Sequence, residues 1–174
     1  GSALGAAKMR FSDNVFIIPG VRSVNDVMRG EETQWIGLMQ DEYLASLPKL
    51  LCVLPGTHSK HINVRHGFMQ NFHTYMTGEF FQILSGHSVL KNSVGHSTKM
   101  SLESQRRAFV EGVLSSTKSS LLNQAFMVRT NQLFERFSTD DNTFFLSGVL
   151  IGAELQNVDA PEILIAANKD IAGL

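Results

Sequence analysis

The hydrophobic pattern in the first third of the chain predicts strands separated by one amphipathic helix. Residues 15–18 form a continuous run of β-branched and aromatic side chains that stops at Pro19-Gly20, which is typical of a buried strand followed by a turn. Residues 31–43 instead place apolar side chains at helical spacing, with acidic residues in the first turn. Residues 49–54 are again continuously apolar, which predicts a second buried strand.

The segment that follows has the pattern of a β-hairpin. Ile62 and Val64 alternate with polar residues, His66-Gly67 supplies a turn, and residues 68–75 form the returning strand. Residues 78–84 then favour a helix. The hairpin and the preceding apolar run predict neighbouring antiparallel strands.

The C-terminal half is mainly helical in pattern. Residues 102–156 predict three helices, because capping and turn residues cluster near 117–120 and 138–142. The remaining segments predict a surface loop over 91–100, a strand over 163–166 and the beginning of a helix over 167–174. This order of strands and helices indicates an α/β fold with a mixed sheet.

Composition narrows the class of protein. Of the 174 residues 43% are hydrophobic, which is enough for an ordinary core in one domain. The formal net charge of −1 gives no reason to expect nucleic acid or an anionic membrane as a partner. Cys52 is the only cysteine, so a disulfide within the chain and a cysteine-based zinc site are excluded. No apolar run approaches the roughly 20 residues of a membrane span, and we expect a cytoplasmic protein.

The first segment with candidate chemistry lies at the start of the helix predicted over 31–43. Arg29 precedes two adjacent acids, Glu31 and Glu32. A carboxylate here could act as a general base towards a hydroxyl group, and Arg29 could bind a substrate carboxylate in a bidentate manner. The structural alternative is a helix whose first-turn acids complement the helix dipole.

The second segment, residues 54–60, combines a strand end with Pro-Gly, Thr, His, Ser and Lys. Backbone N–H groups, hydroxyls and a cation in one turn suit phosphate oxygens. The Walker A pattern is absent, and an ordinary hairpin turn is the structural alternative. His58 and His61 could in principle bind a metal, but scattered surface histidines explain them better.

Two further segments favour structural roles. Thr77 is placed to cap the helix predicted over 78–84, with Glu79 in its first turn, and the same residues could form a wall of a substrate pocket. Residues 145–154 carry small side chains at helical spacing, including Gly148 and Gly152, which would allow close helix packing.

The order of these segments is more informative than any one of them. MRGEETQ (28–34), PGTHSK (55–60), MTGEFF (76–81) and FLSGVLIGAEL (145–155) follow one another along the chain. In this order they resemble the 2-dehydro-3-deoxygalactonokinase family, and the resemblance extends over residues 15–165.

The resemblance implies a fold and a reaction. The fold is the ribonuclease-H-like, actin-like architecture of sugar kinases, and the reaction transfers the γ-phosphoryl group of ATP to the 6-hydroxyl of 2-dehydro-3-deoxygalactonate. By analogy with related kinases, Glu31 would be the general base, with Glu32 as the competing candidate. The residues implied for ATP phosphates are Gly56, Thr57, His58, Ser59 and Lys60. Those implied for the sugar acid are Arg29, Thr77 and Glu79.

The family also has an N-terminal Asp-x-Gly-[Thr/Ser] turn that orients Mg²⁺, and this chain has no such segment. We therefore expect a partial kinase, with residues 1–13 a tag remnant or linker and 14–174 a single α/β domain, incomplete at both ends and inactive alone. The expected ligands are the sugar acid, ATP and Mg²⁺, with no metal ligand in this part, and an exposed cleft wall could support a homodimer. The alternative is a non-catalytic sugar-acid-binding or interaction domain of the same fold.

Overall fold

The computed structural model describes residues 9–17, 19–96 and 99–167. They divide into two compact units. Unit 1 comprises the residues up to Leu54 together with Lys60–Thr74 and Ala160–Ala166, and unit 2 comprises Pro55–Ser59 and Tyr75–Asp159. The domain boundaries expected from the sequence stay a prediction.

Unit 1 is built on a mixed sheet. Its four strands lie in the order β7-β6-β5-β8, with β5 antiparallel to β6 and parallel to β8. Their bounds are Leu50–Leu54 for β5, Ser59–Arg65 for β6, Phe68–Tyr75 for β7 and Ile163–Ile165 for β8. Every residue of β5 is buried, as its continuous apolar pattern predicts. The predicted mixed α/β class is confirmed.

Two short antiparallel pairs precede the sheet. β1 (Met9–Ser12) pairs with β2 (Val15–Ile17), and β3 (Val21–Arg22) pairs with β4 (Val27–Met28). The strand predicted over 15–18 is therefore present over its described residues, and Ile18 lies outside them.

The predicted hairpin turn has the expected backbone geometry. His66 and Gly67 both have positive φ, at 47° and 73°. Two-residue hairpins favour this conformation because its twist matches that of the strands it joins. It connects β6 directly to β7.

The single helix predicted over 31–43 is two helices instead. α1 spans Glu31–Leu38 and α2 spans Glu42–Ser46. Asp41 accepts a hydrogen bond from the Leu44 backbone N–H at 3.0 Å, which caps α2 and ends any continuation of α1. Trp35 of α1 is buried with Met28, Cys52, Ile62 and Phe72 in the unit 1 core.

Unit 2 is helical in its described residues. α3 spans Thr77–His87, a 3₁₀ helix spans Val89–Asn92, and the three predicted C-terminal helices are α4 (Glu103–Ser115), α5 (Leu121–Leu133) and α6 (Thr139–Leu155). The second break falls earlier than predicted, because the Ser138 side chain accepts from the Asp141 backbone N–H at 3.1 Å and starts α6. The loop predicted over 91–100 begins inside the 3₁₀ helix, and its Ser93 and Val94 are buried.

Helices α4 and α6 pack at very short range. A Cβ at Gly148 would collide with the backbone carbonyl of Phe109, and one at Gly112 would collide with that of Phe145. The predicted role of the small residues in 145–154 is thereby confirmed. Phe145, Leu146, Val149 and the other buried residues of this region form a second core within unit 2.

The C-terminal segment is described only in part. The strand predicted over 163–166 is observed as β8, while the helix start predicted over 167–174 falls almost entirely outside the described residues. None of the helices in the described part of the chain is long and apolar enough to cross a membrane.

Candidate functional site

The acids at the start of α1 fold back on the turn that precedes the helix. Glu31 Oε2 accepts from the Arg29 backbone N–H at 3.1 Å, and Glu32 Oε2 accepts from the Gly30 backbone N–H at 2.6 Å. Glu32 is only 2% exposed, whereas the Glu31 side chain is 27% exposed. Of the two candidate bases, Glu31 is therefore the one open to a ligand.

Lys60 lies in the same unit as Glu31. Its side chain is 5% exposed, and its Nζ is 3.3 Å from Glu31 Oε1. A buried ammonium group needs an anionic partner, because desolvation of an unpaired charge is very costly. Glu31 supplies that partner.

Asp26 is a third carboxylate in this region, and sequence reasoning gave it no role. Its two carboxylate oxygens accept from the Thr74 backbone N–H at 2.6 Å and from Thr74 Oγ1 at 2.7 Å. Burial by itself would raise the pKa of Asp26, but the hydrogen bonds from Thr74 and Val27 and the charge of Lys60 together lower it below its ordinary value. Asp26 is therefore held as a carboxylate that ties β7 to the segment before α1.

The Pro-Gly-Thr-His-Ser loop, residues 55–59, belongs to unit 2 and is anchored on α3. The Glu79 backbone N–H donates to the Thr57 carbonyl at 3.0 Å. A Cβ at Gly78 would lie 2.6 Å from the Gly56 carbonyl oxygen, so only glycine allows the loop to approach the helix this closely. The MTGEFF and PGTHSK motifs are thus in direct contact.

Glu154 near the end of α6 joins the same group of residues. Its carboxylate accepts from Ser59 Oγ at 2.7 Å and, through the other oxygen, from Thr77 Oγ1. Thr77 therefore does not cap α3 with its side chain, as the sequence predicted; the N-cap position is Met76, and the Thr77 hydroxyl points to Glu154. The loop, α3 and α6 are linked through one carboxylate.

His58 and Glu79 also pair with each other. His58 Nε2 is 2.6 Å from Glu79 Oε2, and both side chains are more than a third exposed. The residues predicted separately for phosphate and for sugar acid are therefore neighbours in unit 2.

Residues of the loop, of α3 and of α6 border a cavity of about 480 Å³ within unit 2. Its polar lining comes from the loop, from α3 and from Ser147 and Glu154 of α6, and its apolar lining includes Phe81, Leu150 and Ile151. A concave surface of this kind, with a few convergent polar groups over an apolar wall, is typical of small-molecule sites.

The sequence-predicted residues fall into two groups. Unit 1 contains Arg29, Glu31, Glu32 and Lys60, while unit 2 contains Gly56, Thr57, His58, Ser59, Thr77 and Glu79. The Arg29 side chain is exposed.

Sequence reasoning missed Asp26 and Glu154. Glu154 lies inside FLSGVLIGAEL and Asp26 lies just before MRGEETQ, but their partners are 95 and 48 residues away. Among the described residues, no three His, Cys, Asp or Glu side chains come together as metal ligands.

Comparison with known proteins gives a consistent result. The model of the family described as 2-keto-3-deoxy-galactonokinase matches residues 2–173. The chain is 34% identical over 162 residues to the 2-dehydro-3-deoxygalactonokinase of Escherichia coli, covering 90% of this chain and 52% of that protein. It is 35% identical over 148 residues to a probable 2-dehydro-3-deoxygalactonokinase of Rhizobium meliloti, covering 82% of this chain and 47% of that protein.

A solved structure is similar over the same extent. The crystal structure of a protein from Sinorhizobium meliloti, proposed to be a 2-dehydro-3-deoxygalactonokinase, matches with a TM-score of 0.72 at 31% identity. The match covers 86% of this chain and 52% of that one. The chain therefore spans about half the length of the curated relatives it matches.

Proposed function

Because the chain belongs to the 2-keto-3-deoxy-galactonokinase family, matched over residues 2–173, we propose that it forms part of a kinase acting on 2-dehydro-3-deoxygalactonate. The reaction would transfer the γ-phosphoryl group of ATP to the 6-hydroxyl of the sugar acid. The family resemblance that the four sequence motifs carry is confirmed. The finer fold assignment, a ribonuclease-H-like domain of the actin-like type, is part of the proposal.

The observation that best supports the proposal is the loop 55–59 on the cavity of unit 2. The lack of a side chain at Gly78 lets the loop lie against the start of α3, and the Glu79 backbone N–H donates to the Thr57 carbonyl. Backbone amides so fixed need no rearrangement to meet phosphate oxygens, and phosphoryl transfer depends mainly on such positioning. We assign Gly56, Thr57, His58 and Ser59 to the β- and γ-phosphates of ATP.

The hydroxyl of Ser59 has a specific limitation. Its single O–H donates to Glu154, so it cannot donate to a phosphate at the same time. Backbone N–H groups of the loop are the donors that the proposal relies on, and the Ser59 hydroxyl holds the loop through Glu154.

The acceptor end of the reaction is assigned to unit 1. In the proposed step, the Glu31 carboxylate takes the proton of the 6-hydroxyl as the hydroxyl oxygen forms its bond to the γ-phosphorus. The bond from the γ-phosphorus to the bridging oxygen breaks, and ADP leaves. Arg29 is exposed and could bind the sugar-acid carboxylate in a bidentate manner. The roles of Thr77 and Glu79 towards the sugar acid stay a prediction from sequence.

Magnesium is expected with the nucleotide. Mg²⁺ in phosphoryl-transfer sites is bound through one or two carboxylates, substrate phosphates and water, so it does not require a dedicated cluster of protein ligands. The described residues form no group of three metal-ligating side chains, and the proposal assigns none of them to the metal. When bound, the ion would neutralise charge on the β- and γ-phosphates.

The test is ADP release by the full-length protein, measured with ATP, Mg²⁺ and 2-dehydro-3-deoxygalactonate. We expect release to depend on the sugar acid, with the gluconate-derived epimer as the matched substrate control. Binding of the sugar acid without any ADP release would instead support a non-catalytic binding domain. Absence of both binding and release would overturn the proposal.

A further inference from the structure

Lys60 is a buried cation whose partner is a proposed catalytic group. Its side chain is 5% exposed, and its Nζ lies 3.3 Å from Glu31 Oε1. Lys60 sits in β6 opposite Leu54 of β5, so the strand pairing fixes where its side chain leaves the sheet.

The contacts of Glu31 show how Lys60 affects the orientation of its carboxylate. Oε1 faces Lys60, and Oε2 accepts from the Arg29 backbone N–H. Both oxygens are therefore held, which leaves the carboxylate one orientation at the beginning of α1. The remaining lone pairs of the 27%-exposed side chain are open to an incoming hydroxyl.

The charge of Lys60 is balanced inside unit 1. Glu31 of α1 pairs with it directly. The positive charge of Lys60 also lowers the pKa of Asp26, which lies in the segment before α1. An ammonium group compensated by carboxylates has little net charge left to attract phosphates.

We propose that Lys60 is a positioning residue that holds the Glu31 carboxylate in place, and that it does not bind the phosphates of ATP. This inference rests on the proposed function, because it assumes that Glu31 acts on the acceptor hydroxyl. The inference gives Lys60 a role different from that of the loop 55–59, although the two are adjacent in sequence.

The test is a double-mutant cycle in the full-length protein, using Lys60→Met, Glu31→Gln and the combination of both. We expect Lys60→Met to lower kcat by about 10- to 100-fold, the scale of a misplaced catalytic group, with the Kd for ATP changed by less than about 2-fold. In the Glu31→Gln background the same substitution should change kcat by less than about 2-fold, because residues that act as a unit are not additive. If Lys60 had only a structural role, the losses of kcat caused by Lys60→Met and Glu31→Gln would add in the double variant.

Two additional variants keep the test decisive. Lys60→Gln retains a hydrogen-bond donor for Glu31, so it should lower kcat less than Lys60→Met does and should also leave the Kd for ATP unchanged. It replaces Lys60→Met in the test if the Met variant does not fold. Lys118→Met is the matched control, because Lys118 is exposed, and it should leave kcat and ATP affinity unchanged.

The possible failures are distinguishable. A Kd for ATP weakened by about 10-fold or more in both Lys60 variants, with an additive cycle, would overturn the positioning role and leave the proposed kinase intact. If Glu31→Gln alone left kcat unchanged, the assignment of Glu31 as the base would be wrong, and the inference about Lys60 would be wrong as well.

Discussion

At the residue scale, two adjacent glutamates occupy very different surroundings. Glu32 is 2% exposed and accepts a hydrogen bond from the Gly30 backbone N–H within the turn before α1. Glu31 is partly exposed and held by Lys60 and the Arg29 N–H. Proton transfer requires access to the substrate, which favours Glu31 over its neighbour.

Asp26 provides a prediction about acid stability. Because its pKa is lowered in the folded state, the stabilisation is present above the pKa of the unfolded state and is lost as pH falls through the folded-state pKa. Thr74→Val removes one of the hydrogen bonds that lower this pKa. We expect the variant to lose about 1–2 kcal/mol of unfolding free energy at pH 7, with the deficit shrinking below about pH 4.

Urea denaturation at several pH values measures this effect. The same substitution at Thr117, whose hydroxyl bonds only to the Leu114 carbonyl among the described residues, is the control and should give a deficit independent of pH. A Thr74→Val deficit that stayed constant from pH 7 to pH 3 would show that the Asp26 charge is not involved.

At the scale of elements, the loop 55–59 is held by α3 and α6. Glu154→Ala would leave Ser59 Oγ and Thr77 Oγ1 without their shared acceptor. We expect the amide protection of residues 57–59 to fall by about 10-fold in hydrogen exchange, equivalent to about 1.4 kcal/mol of local opening. Glu154→Gln keeps one acceptor oxygen and should lie between the wild type and the alanine variant.

The result that would contradict this is specific. If Glu154→Ala left exchange at residues 57–59 unchanged while exchange in α6 increased, Glu154 would stabilise its own helix and not the loop.

The contact between α4 and α6 gives a second prediction at this scale. Gly148→Ala places a methyl group against the Phe109 carbonyl, and we expect it to cost about 1–3 kcal/mol of unfolding free energy. Gly86→Ala in α3 is the matched control, since nothing lies within 4 Å of its Cβ position; it should be neutral or stabilise by up to about 1 kcal/mol. Thermal unfolding of the two variants compares them directly, and equal shifts would contradict the close packing.

Elements with a strong local signal could be predicted from sequence. The apolar run of β5, the His66-Gly67 hairpin and the three C-terminal helices all follow from periodicity and turn chemistry within a few residues. The break between α1 and α2 was missed because Asp41, a polar residue within a helical pattern, competes as a cap.

The site was only partly predictable for a different reason. Motif order made residues 55–60 and the acids at α1 the candidates, but hydrogen bonds between distant segments leave no local pattern. The Ser59–Glu154 and Thr74–Asp26 pairs span 95 and 48 residues, so only the folded chain reveals them. For the same reason, the sequence does not show that the Lys60 side chain contacts Glu31, whereas the loop before it contacts α3 and α6.

At the scale of the whole molecule, the chain covers about half of its curated relatives and divides into two compact units. Unit 1 carries the proposed base with its lysine, and unit 2 carries the proposed phosphate loop and its cavity. Under this proposal, changes at Glu31 and changes in the loop 55–59 should both reduce turnover while affecting different kinetic constants.

The measurement that tests the central claim most directly is sugar-acid-dependent ADP release by the full-length protein carrying Glu31→Gln. The claim predicts a fall in kcat of at least about 10²-fold with the Kd for ATP unchanged, the lower range for loss of a general base. Glu42→Gln, the same change at an exposed acid of α2, should retain wild-type turnover. Near-wild-type turnover in Glu31→Gln would contradict the claim, and loss of turnover in Glu32→Gln alone would move the base to the neighbouring residue.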